Sequence, residues 1–221
     1  TDAAEDRVHP HTSWAVHTDA ANPYLHPGQA ESAWLDRFAQ PFVAGGAAPL
    51  LLRDGAGAPF DRLITAPTPD WDGPLVSVVM PVFNPDHSLH TAVASVLAQT
   101  WRNLELIVVD DASTAGIEHL EALPELDPRV RLVWSERNAG AYAARNRGLG
   151  VASGLLVTFQ DADDWSHPRR LEHQVRLLLE DVGSPASRSM AVRAKDDLTH
   201  QWFGYRSVRD NASSLMLRRS V

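Results

Sequence analysis

Three carboxylates stand within four residues at the end of an apolar run in the second half of the chain. The run Val157-Thr158-Phe159 has the β-branched and aromatic character of a buried strand, and Asp161, Asp163 and Asp164 follow it. Like charges this close raise one another's cost of ionisation. A divalent cation would relieve that cost, since Mg²⁺ and Mn²⁺ take hard oxygen ligands and bind phosphates as well. The loop therefore has the chemistry of a metal–diphosphate site. A solvated acidic turn that caps a helix after Ser166-His167-Pro168 is the alternative.

The composition and net charge of the chain exclude some classes of protein and disfavour some classes of partner. The chain has 221 residues, of which 44% are hydrophobic and 22% charged, as in a soluble globular protein of one or two domains. Its formal net charge of −8 disfavours nucleic acid and anionic membrane surfaces as partners. The absence of cysteine excludes disulfides and Cys-ligated zinc.

No apolar run approaches the ~20 residues of a membrane span, and the first residues lack the layout of a signal peptide. We therefore expect no membrane span in this chain, and a cytoplasmic location or one at the inner face of a membrane. The chain lacks an initiator Met. We expect it to be a piece of a longer polypeptide.

The N-terminal third of the chain differs in amino-acid composition from the remainder. Residues 1–73 are rich in proline and histidine and read as an N-terminal extension or small accessory region that ends in a linker. Apolar spacing predicts a helix over 29–39. Short strands are predicted over 49–53 and 62–65, around an Asp-Gly turn signal.

Regular alternation of strands and helices begins at Leu75. This alternation predicts a parallel, doubly wound sheet, in which ligands bind at the carboxyl ends of the strands. The predicted strands cover 75–80 (stopped by Pro81), 104–109, 130–134 and 155–159. The predicted helices cover 89–97, 117–123, 140–152 and 168–180, the last with Leu171, Val175, Leu178 and Leu179 facing inward.

The ends of these strands share a polar character. Residues 81–84, 110–111, 137–140 and 161–164 all fall on one rim of the predicted sheet. Loop residues are often polar for solubility alone, so each segment by itself is unremarkable for function. Four such segments at the ligand edge of one sheet indicate a binding site.

The same segments carry a resemblance to a known family. In order and spacing, four segments resemble family 2 glycosyltransferases of the GT-A fold. They are Val76 to Asn84, Val108 to Thr114, Asn138 to Gly148 and Asp161 to Asp164. The similarity covers 75–221. It implies α/β architecture over 74–221: a Rossmann-like, doubly wound, mostly parallel sheet that binds a nucleotide sugar. It also implies transfer of a sugar from a UDP-sugar donor, with inversion and with Mg²⁺ or Mn²⁺, to a glycan or lipid-linked acceptor.

The resemblance assigns roles to individual residues. Asp161 and Asp163 resemble the Asp-x-Asp pair, with Asp163 as the direct metal ligand that supports the leaving diphosphate and Asp161 nearer the ribose or the metal's waters. Asp111 resembles the carboxylate that accepts a hydrogen bond from the uracil N–H, and Phe83 stands where a ring could stack on the base. Arg145 could instead be solvated or ion-paired, and Asn84 is a common turn former. The remaining nucleotide contacts implied are Pro81, Asn84, Asn138, Gly140 and Arg145.

The chain departs from the family pattern in two places. Ala115 replaces a frequent acidic residue. The segment that normally supplies the catalytic base would follow 213–219, and the late carboxylates Asp196, Asp197 and Asp210 sit in no recognisable base motif. No catalytic base is identifiable, and we expect it beyond Val221.

Two other functions stay open on the sequence. The first is a nucleotide-sugar-binding module without turnover, as a non-catalytic part of a larger polysaccharide-synthesising protein. The second is an unrelated nucleotidyltransferase. That class usually has a basic phosphate loop after the first strand, and residues 80–90 contain none.

Overall fold

The computed structural model describes residues 9–201 and 206–219 and divides into two compact units. The first unit groups the N-terminal residues to Pro67 with Met190–Asp210, and the second groups Thr68–Ser189 with the residues from Asn211 onward. This grouping differs from the sequence-based division at residue 73, because 190–210 joins the N-terminal residues. Within the described ranges, no helix has the length and apolar character needed to cross a membrane.

The N-terminal part of the first unit contains three helices and a small hairpin. Its elements are α1 (Pro10–Ala20), α2 (Glu31–Ala44), β1 (Leu50–Leu52), α3 (Pro59–Arg62) and β2 (Leu63–Thr65). β1 and β2 pair antiparallel, as the predicted short strands suggested. α2 is longer than the predicted helix and contains Pro41, while α1 and α3 were not predicted. The α1 sequence has no apolar stripe along one face, so periodicity could not reveal it.

The second unit contains the predicted alternation of strands and helices. Its predicted elements agree with the structure to within two residues at each end, except that the helix predicted over 117–123 is two short helices. The elements are β3 (Val76–Val82), α4 (Ser88–Leu97), β4 (Leu104–Asp110), α5 (Ile117–Glu121), α6 (Leu123–Leu126), β5 (Val130–Trp134), α7 (Ala141–Val151), β6 (Leu156–Phe159), α8 (Arg170–Glu180) and β7 (Ala186–Ser187).

Pro81 does not stop the first strand of this sheet, contrary to the sequence prediction. β3 continues to Val82, and Pro81 pairs in register with Val109 of β4. On its other side, β3 pairs with β6 only as far as Val79. A proline lacks the N–H that a ladder uses, so it is tolerated where pairing on one side has ended.

The helix after the acidic loop also differs from its prediction. α8 begins at Arg170 and buries Leu171, Val175 and Leu178, whereas Leu179 is 48% exposed rather than inward-facing. Its N-cap residue, Arg169, makes no side-chain capping bond, and Arg169 N donates to His167 Nδ1 at 3.1 Å. The buried face therefore excludes Leu179 and includes the polar Glu172 and Gln174, and His167 organises the start of the helix.

The segment 190–210 belongs to the first unit through specific polar contacts. Its strands β8 (Met190–Val192) and β9 (Val208–Asp210) pair antiparallel. Asp19 of α1 accepts from His200 N, and His200 Nδ1 lies 2.7 Å from Asp19 Oδ1. Both side chains are buried, and Asn22 Nδ2 donates to the Asp197 carbonyl at 2.9 Å. Such contacts join residues distant in sequence, which is why the sequence did not predict this grouping.

The last strand, β10 (Met216–Arg218), completes a six-stranded sheet with the order β5-β4-β3-β6-β10-β7. β3, β4, β5 and β6 are mutually parallel, and β10 is antiparallel to both of its neighbours. One face packs against α4, α5, α6 and α8, and the other packs against α7. The doubly wound, mostly parallel sheet predicted from sequence is confirmed.

α7 packs directly against the sheet at one glycine. A Cβ built on Gly148 would lie 2.3 Å from Val79 Cγ1 and 3.2 Å from Val109 Cγ2. Both valines are buried in β3 and β4, so neither can yield freely. Gly148 therefore sets the position of α7, which carries Arg145 to the rim of the sheet.

We expect Gly148→Ala to lower the free energy of unfolding by about 1–3 kcal/mol, the usual cost of overpacking. Gly150→Ala, two residues further along α7, is the matched control, because a Cβ there meets nothing within 4 Å. That change should be neutral or stabilise by roughly 0.5–1 kcal/mol. Urea denaturation measures both, and equal effects would contradict the packing role of Gly148.

Candidate functional site

The polar segments converge at the carboxyl ends of β4, β3 and β6, which are neighbours in the sheet. Asp111 N donates to the Val82 carbonyl at 2.8 Å, and Gln160 N donates to the Val79 carbonyl at 3.1 Å. These bonds extend the strand pairing into the loops. The residues that follow the three strands are thereby held on one rim.

Asp111 is buried and binds the backbone at the start of α7. Its carboxylate accepts from Ala139 N at 3.0 Å and from Gly140 N at 2.7 Å. Gly140 is the N-cap residue and has φ 89° and ψ 161°, a conformation that side chains disfavour. A carboxylate offers about four acceptor sites, so Asp111 retains capacity for another donor. The sequence predicted both residues for the site, but not the bond between them.

Asn84 has a structural role in this rim. It has φ 48°, and its Oδ1 accepts from Thr114 N at 2.8 Å and Ala115 N at 3.1 Å. Asn84 N donates to Ser113 Oγ at 2.8 Å, and the Asp110 carboxylate accepts from Ser113 N. The loops after β3 and β4 are thus joined by hydrogen bonds. This supports the turn-forming interpretation of Asn84.

Three other residues predicted to contact a nucleotide differ in their exposure. Phe83 is 50% exposed beside this joined pair of loops. Asn138 is exposed in the segment before α7, whereas Pro81 is buried within β3. An exposed aromatic ring at the rim offers a flat apolar surface to a planar ligand.

Arg145 is ion-paired. Its Nη2 donates to Asp161 Oδ1 at 2.6 Å, and its guanidinium lies 5.5 Å from the Tyr142 ring centre and 6.0 Å from that of Phe159. The other carboxylate oxygen, Asp161 Oδ2, accepts from Ser213 Oγ at 2.6 Å. Both Asp161 oxygens are therefore held by hydrogen bonds. Sequence reasoning missed Ser213 and left the ion pair of Arg145 as an alternative.

The acidic loop is shaped by a buried glutamine. Gln160 Nε2 donates to the Asp164 carbonyl at 2.7 Å, and Ser166 Oγ donates to Gln160 Oε1 at 2.5 Å. Asp164 N donates to the Asp161 carbonyl at 3.2 Å, which closes a turn. Asp163 and Asp164 are exposed at its tip. A polar glutamine directly after a buried strand was a signal for this role that the sequence reading did not use.

A second arginine lies close to the loop. Arg170 Nη1 donates weakly to the Phe159 carbonyl at 3.3 Å, and its Nε and Nη2 are buried without a hydrogen-bond partner among the described residues. Burial lowers the pKa of Arg170 to about 10, and the nearby Asp164 carboxylate opposes that shift. Arg170 therefore stays charged at neutral pH and offsets part of the negative charge of the loop.

The side chains of the acidic loop determine how a metal ion could bind at this rim. Within 9–201 and 206–219, no cluster of three or more His, Asp or Glu side chains is close enough to hold an ion alone. The loop offers oxygen donors only. Mg²⁺ commonly binds through one or two carboxylates plus substrate phosphates and water, so the Asp161/Asp163 pair fits a site that a diphosphate would complete.

The late carboxylates Asp196, Asp197 and Asp210 belong to the first compact unit, whereas the residues of the rim belong to the second. Asp197 Oδ1 accepts from Thr199 N at 2.9 Å and from Thr199 Oγ1 at 2.6 Å. The expectation that no base is identifiable in this chain stays a prediction.

Comparison with known proteins identifies the family. The family model described as glycosyl transferase family 2 matches residues 77–211. The chain belongs to glycosyl transferase family 2. The match spans the rim loops and confirms the resemblance seen in the sequence.

Relatives within this family cover about half of the chain. An uncharacterised glycosyltransferase of Haemophilus influenzae is 41% identical over 48% of this chain and 43% of its own length. The Escherichia coli protein named UDP-Glc:alpha-D-GlcNAc-diphosphoundecaprenol beta-1,3-glucosyltransferase WfgD is 39% identical over 49% of the chain and 42% of its own length. The putative teichuronic acid biosynthesis glycosyltransferase TuaG of Bacillus subtilis is 40% identical over 48% and 43%. The chain thus spans well under half the length of these relatives.

A solved structure shares the fold. The S. aureus TarS 1-349 structure in complex with UDP superposes with a TM-score of 0.50 and 18% identity over 66% of this chain and 47% of that one. The family 2 chain therefore has the GT-A, Rossmann-like fold that its sequence indicated.

If Asn84 joins the two loops, Asn84→Ala should lower the free energy of unfolding by roughly 1–2 kcal/mol, because two hydrogen bonds and a left-handed backbone are at stake. Asn84→Asp keeps the acceptor oxygen and should come close to the wild type. Urea denaturation measures the free energies of unfolding of the wild type and the two variants. An alanine variant as stable as the wild type would remove the structural role of Asn84.

Proposed function

We propose that this chain forms the donor-binding part of an inverting glycosyltransferase that moves a sugar from a UDP-sugar to a glycan or lipid-linked acceptor, with Mg²⁺ or Mn²⁺. The observation that carries the proposal is the convergence of Phe83, Asp111 and the Asp161 to Asp164 loop on one sheet rim. Family membership supports the reaction class. The UDP in the TarS structure supports the nature of the donor.

The donor's base would bind at the β3–β4 side of the rim. Phe83 is exposed for stacking, a contact worth about 1–3 kcal/mol per base where it has been measured in nucleic-acid binding. Asp111 is already oriented by two backbone N–H groups and has acceptor capacity left for the uracil N–H. Gly140 lets the backbone approach the ligand closely.

The diphosphate would lie toward the β6 side of the rim. Asp163 is exposed and would ligate the ion directly, while Asp161 keeps a fixed orientation between Arg145 and Ser213. A bound divalent ion would supply charge neutralisation and Lewis-acid support for the departing diphosphate. Arg145 adds a positive charge on the same side.

The proposed class of acceptor rests only on the names of two relatives. WfgD is named for a diphosphoundecaprenol-linked sugar and TuaG for teichuronic acid, so a lipid-linked or glycan acceptor is the proposal for this chain. A lipid-linked acceptor would bring the reaction to the inner face of a membrane. Inversion requires a base that takes the acceptor's proton, and we assign no residue of this chain to that role. Donor binding without turnover in any longer form of the protein would favour the non-catalytic module.

UDP should bind tightly only with a divalent cation, because the acidic loop otherwise faces the diphosphate. Asp163→Ala should weaken Mn²⁺-supported UDP binding by at least on the order of 10–100-fold, the range seen for weaker perturbations of metal sites. Titration calorimetry with Mn²⁺ and with a chelator measures this. Asp36→Ala, which removes an exposed carboxylate of α2, is the charge-matched control.

The metal-free Asp163→Ala protein should be at least as stable as the wild type, since crowded carboxylates repel one another. Equal UDP affinity with chelator and with Mn²⁺ would remove the metal from the proposal. A large loss of stability would instead support the acidic turn as a structural element.

Phe83→Ala should weaken UDP binding by roughly 5- to 150-fold, as expected for loss of a stacking contact of about 1–3 kcal/mol, and leave pyrophosphate binding unchanged. Leu155→Ala, an exposed apolar residue at the opposite end of β6, is the control and should affect neither ligand. Calorimetry with both ligands tests the contact. A parallel loss for UDP and pyrophosphate would place Phe83 outside the base site.

A further inference from the structure

Ser213 lies in a turn that the structure holds firmly at the rim. The turn is a 3₁₀ helix, Ala212–Ser214, and Asn211 Oδ1 accepts from Ser213 N at 3.1 Å. The Ser214 carbonyl accepts from Thr158 Oγ1 at 3.2 Å and from Gln174 Nε2 at 2.7 Å. These bonds tie the turn to β6 and α8, so the position of Ser213 is set by the sheet and a helix as well as by its own turn.

The bond from Ser213 constrains the orientation of Asp161. The terminal torsion of an aspartate is broad, so a carboxylate with one partner can rotate. Here Arg145 binds Oδ1 and Ser213 binds Oδ2, each at 2.6 Å. Two partners on opposite oxygens fix the carboxylate plane, and each oxygen keeps acceptor capacity for a further ligand.

The two partners differ in their electrostatic effect. Arg145 brings a full positive charge, which competes with a cation for the same carboxylate. A hydroxyl carries no net charge, so Ser213 orients Asp161 and weakens its attraction for a cation much less than a full positive charge does. Hydrogen-bond partners behind metal ligands orient those ligands in metal sites generally.

We propose that Ser213 is a positioning residue for Asp161 in binding of the divalent cation and UDP, an inference that rests on the proposed function. Ser213 lies outside residues 77–211, which match the family model. The turn that leads into β10 thereby contributes to the donor site through one hydroxyl.

The test measures the Mn²⁺ concentration needed for half-maximal UDP binding in the wild type, Ser213→Ala, Ser213→Thr and Ser184→Ala. Ser184 Oγ donates to Asp181 Oδ2 at 2.6 Å just after α8, so Ser184→Ala removes the same kind of bond away from the rim. We expect Ser213→Ala to need on the order of tenfold more Mn²⁺, as for other outer partners of metal ligands. Ser213→Thr keeps the hydroxyl and should restore the wild-type requirement, and Ser184→Ala should not change it.

The outcomes separate the two proposals. If the wild type fails to bind UDP at any Mn²⁺ concentration, the proposed function falls. If the wild type binds and Ser213→Ala needs the same Mn²⁺, Ser213 has no positioning role. A loss in Ser213→Ala that Ser213→Thr does not restore, or that Ser184→Ala shares, also overturns the inference, because the effect would not belong to this hydroxyl.

Discussion

The rest of the site depends on one constraint: parallel strands bring their carboxyl ends to the same rim, and here that rim is acidic. Asp110, Asp111 and Asp161 each follow or end a neighbouring strand, and like charges gathered there oppose folding unless each is compensated. Each of these carboxylates is compensated by its own hydrogen-bond donor or cation. Ser113 N binds Asp110, two backbone N–H groups at the start of α7 bind Asp111, and Arg145 binds Asp161. The chain thus holds an acidic rim together with its own donors.

This compensation divides the acidic residues by role. Carboxylates that bind backbone or side-chain donors organise the loops, as Asp110 and Asp111 do. Asp163 is exposed at the tip of its loop, which favours it over Asp161 as the residue that meets an incoming cation. Asp161 combines the two roles. Each of its carboxylate oxygens accepts one hydrogen bond, and both oxygens lie at the rim. A site of this kind has its supporting residues in place before a ligand arrives, which lowers the entropic cost of binding.

Sequence patterns predicted the central sheet because its strands are short continuous apolar runs between turn signals, and such runs form buried parallel strands. The strand-end carboxylates were predictable for the same reason, since topology alone brings them together. α1 was missed because it has no apolar stripe, and its buried Asp19 meets His200 across 181 residues. Arg145 and Ser213 reach Asp161 across 16 and 52 residues, so no local pattern could reveal either bond. The position of Pro81 within β3 depended on where its neighbour strand ends, which is also a tertiary fact.

The direction of β10 explains why a site residue occurs so late in the chain. β10 pairs antiparallel with β6, with Leu217 opposite Val157 and Arg218 opposite Leu156. An antiparallel neighbour runs away from the rim where β6 ends, so the residues that precede it must lie at that rim. Ser213 comes three residues before β10 and therefore meets Asp161, two residues after β6. In a mostly parallel sheet, the segment that leads into an antiparallel strand is consequently a place to look for side chains that complete a site begun by the parallel strands.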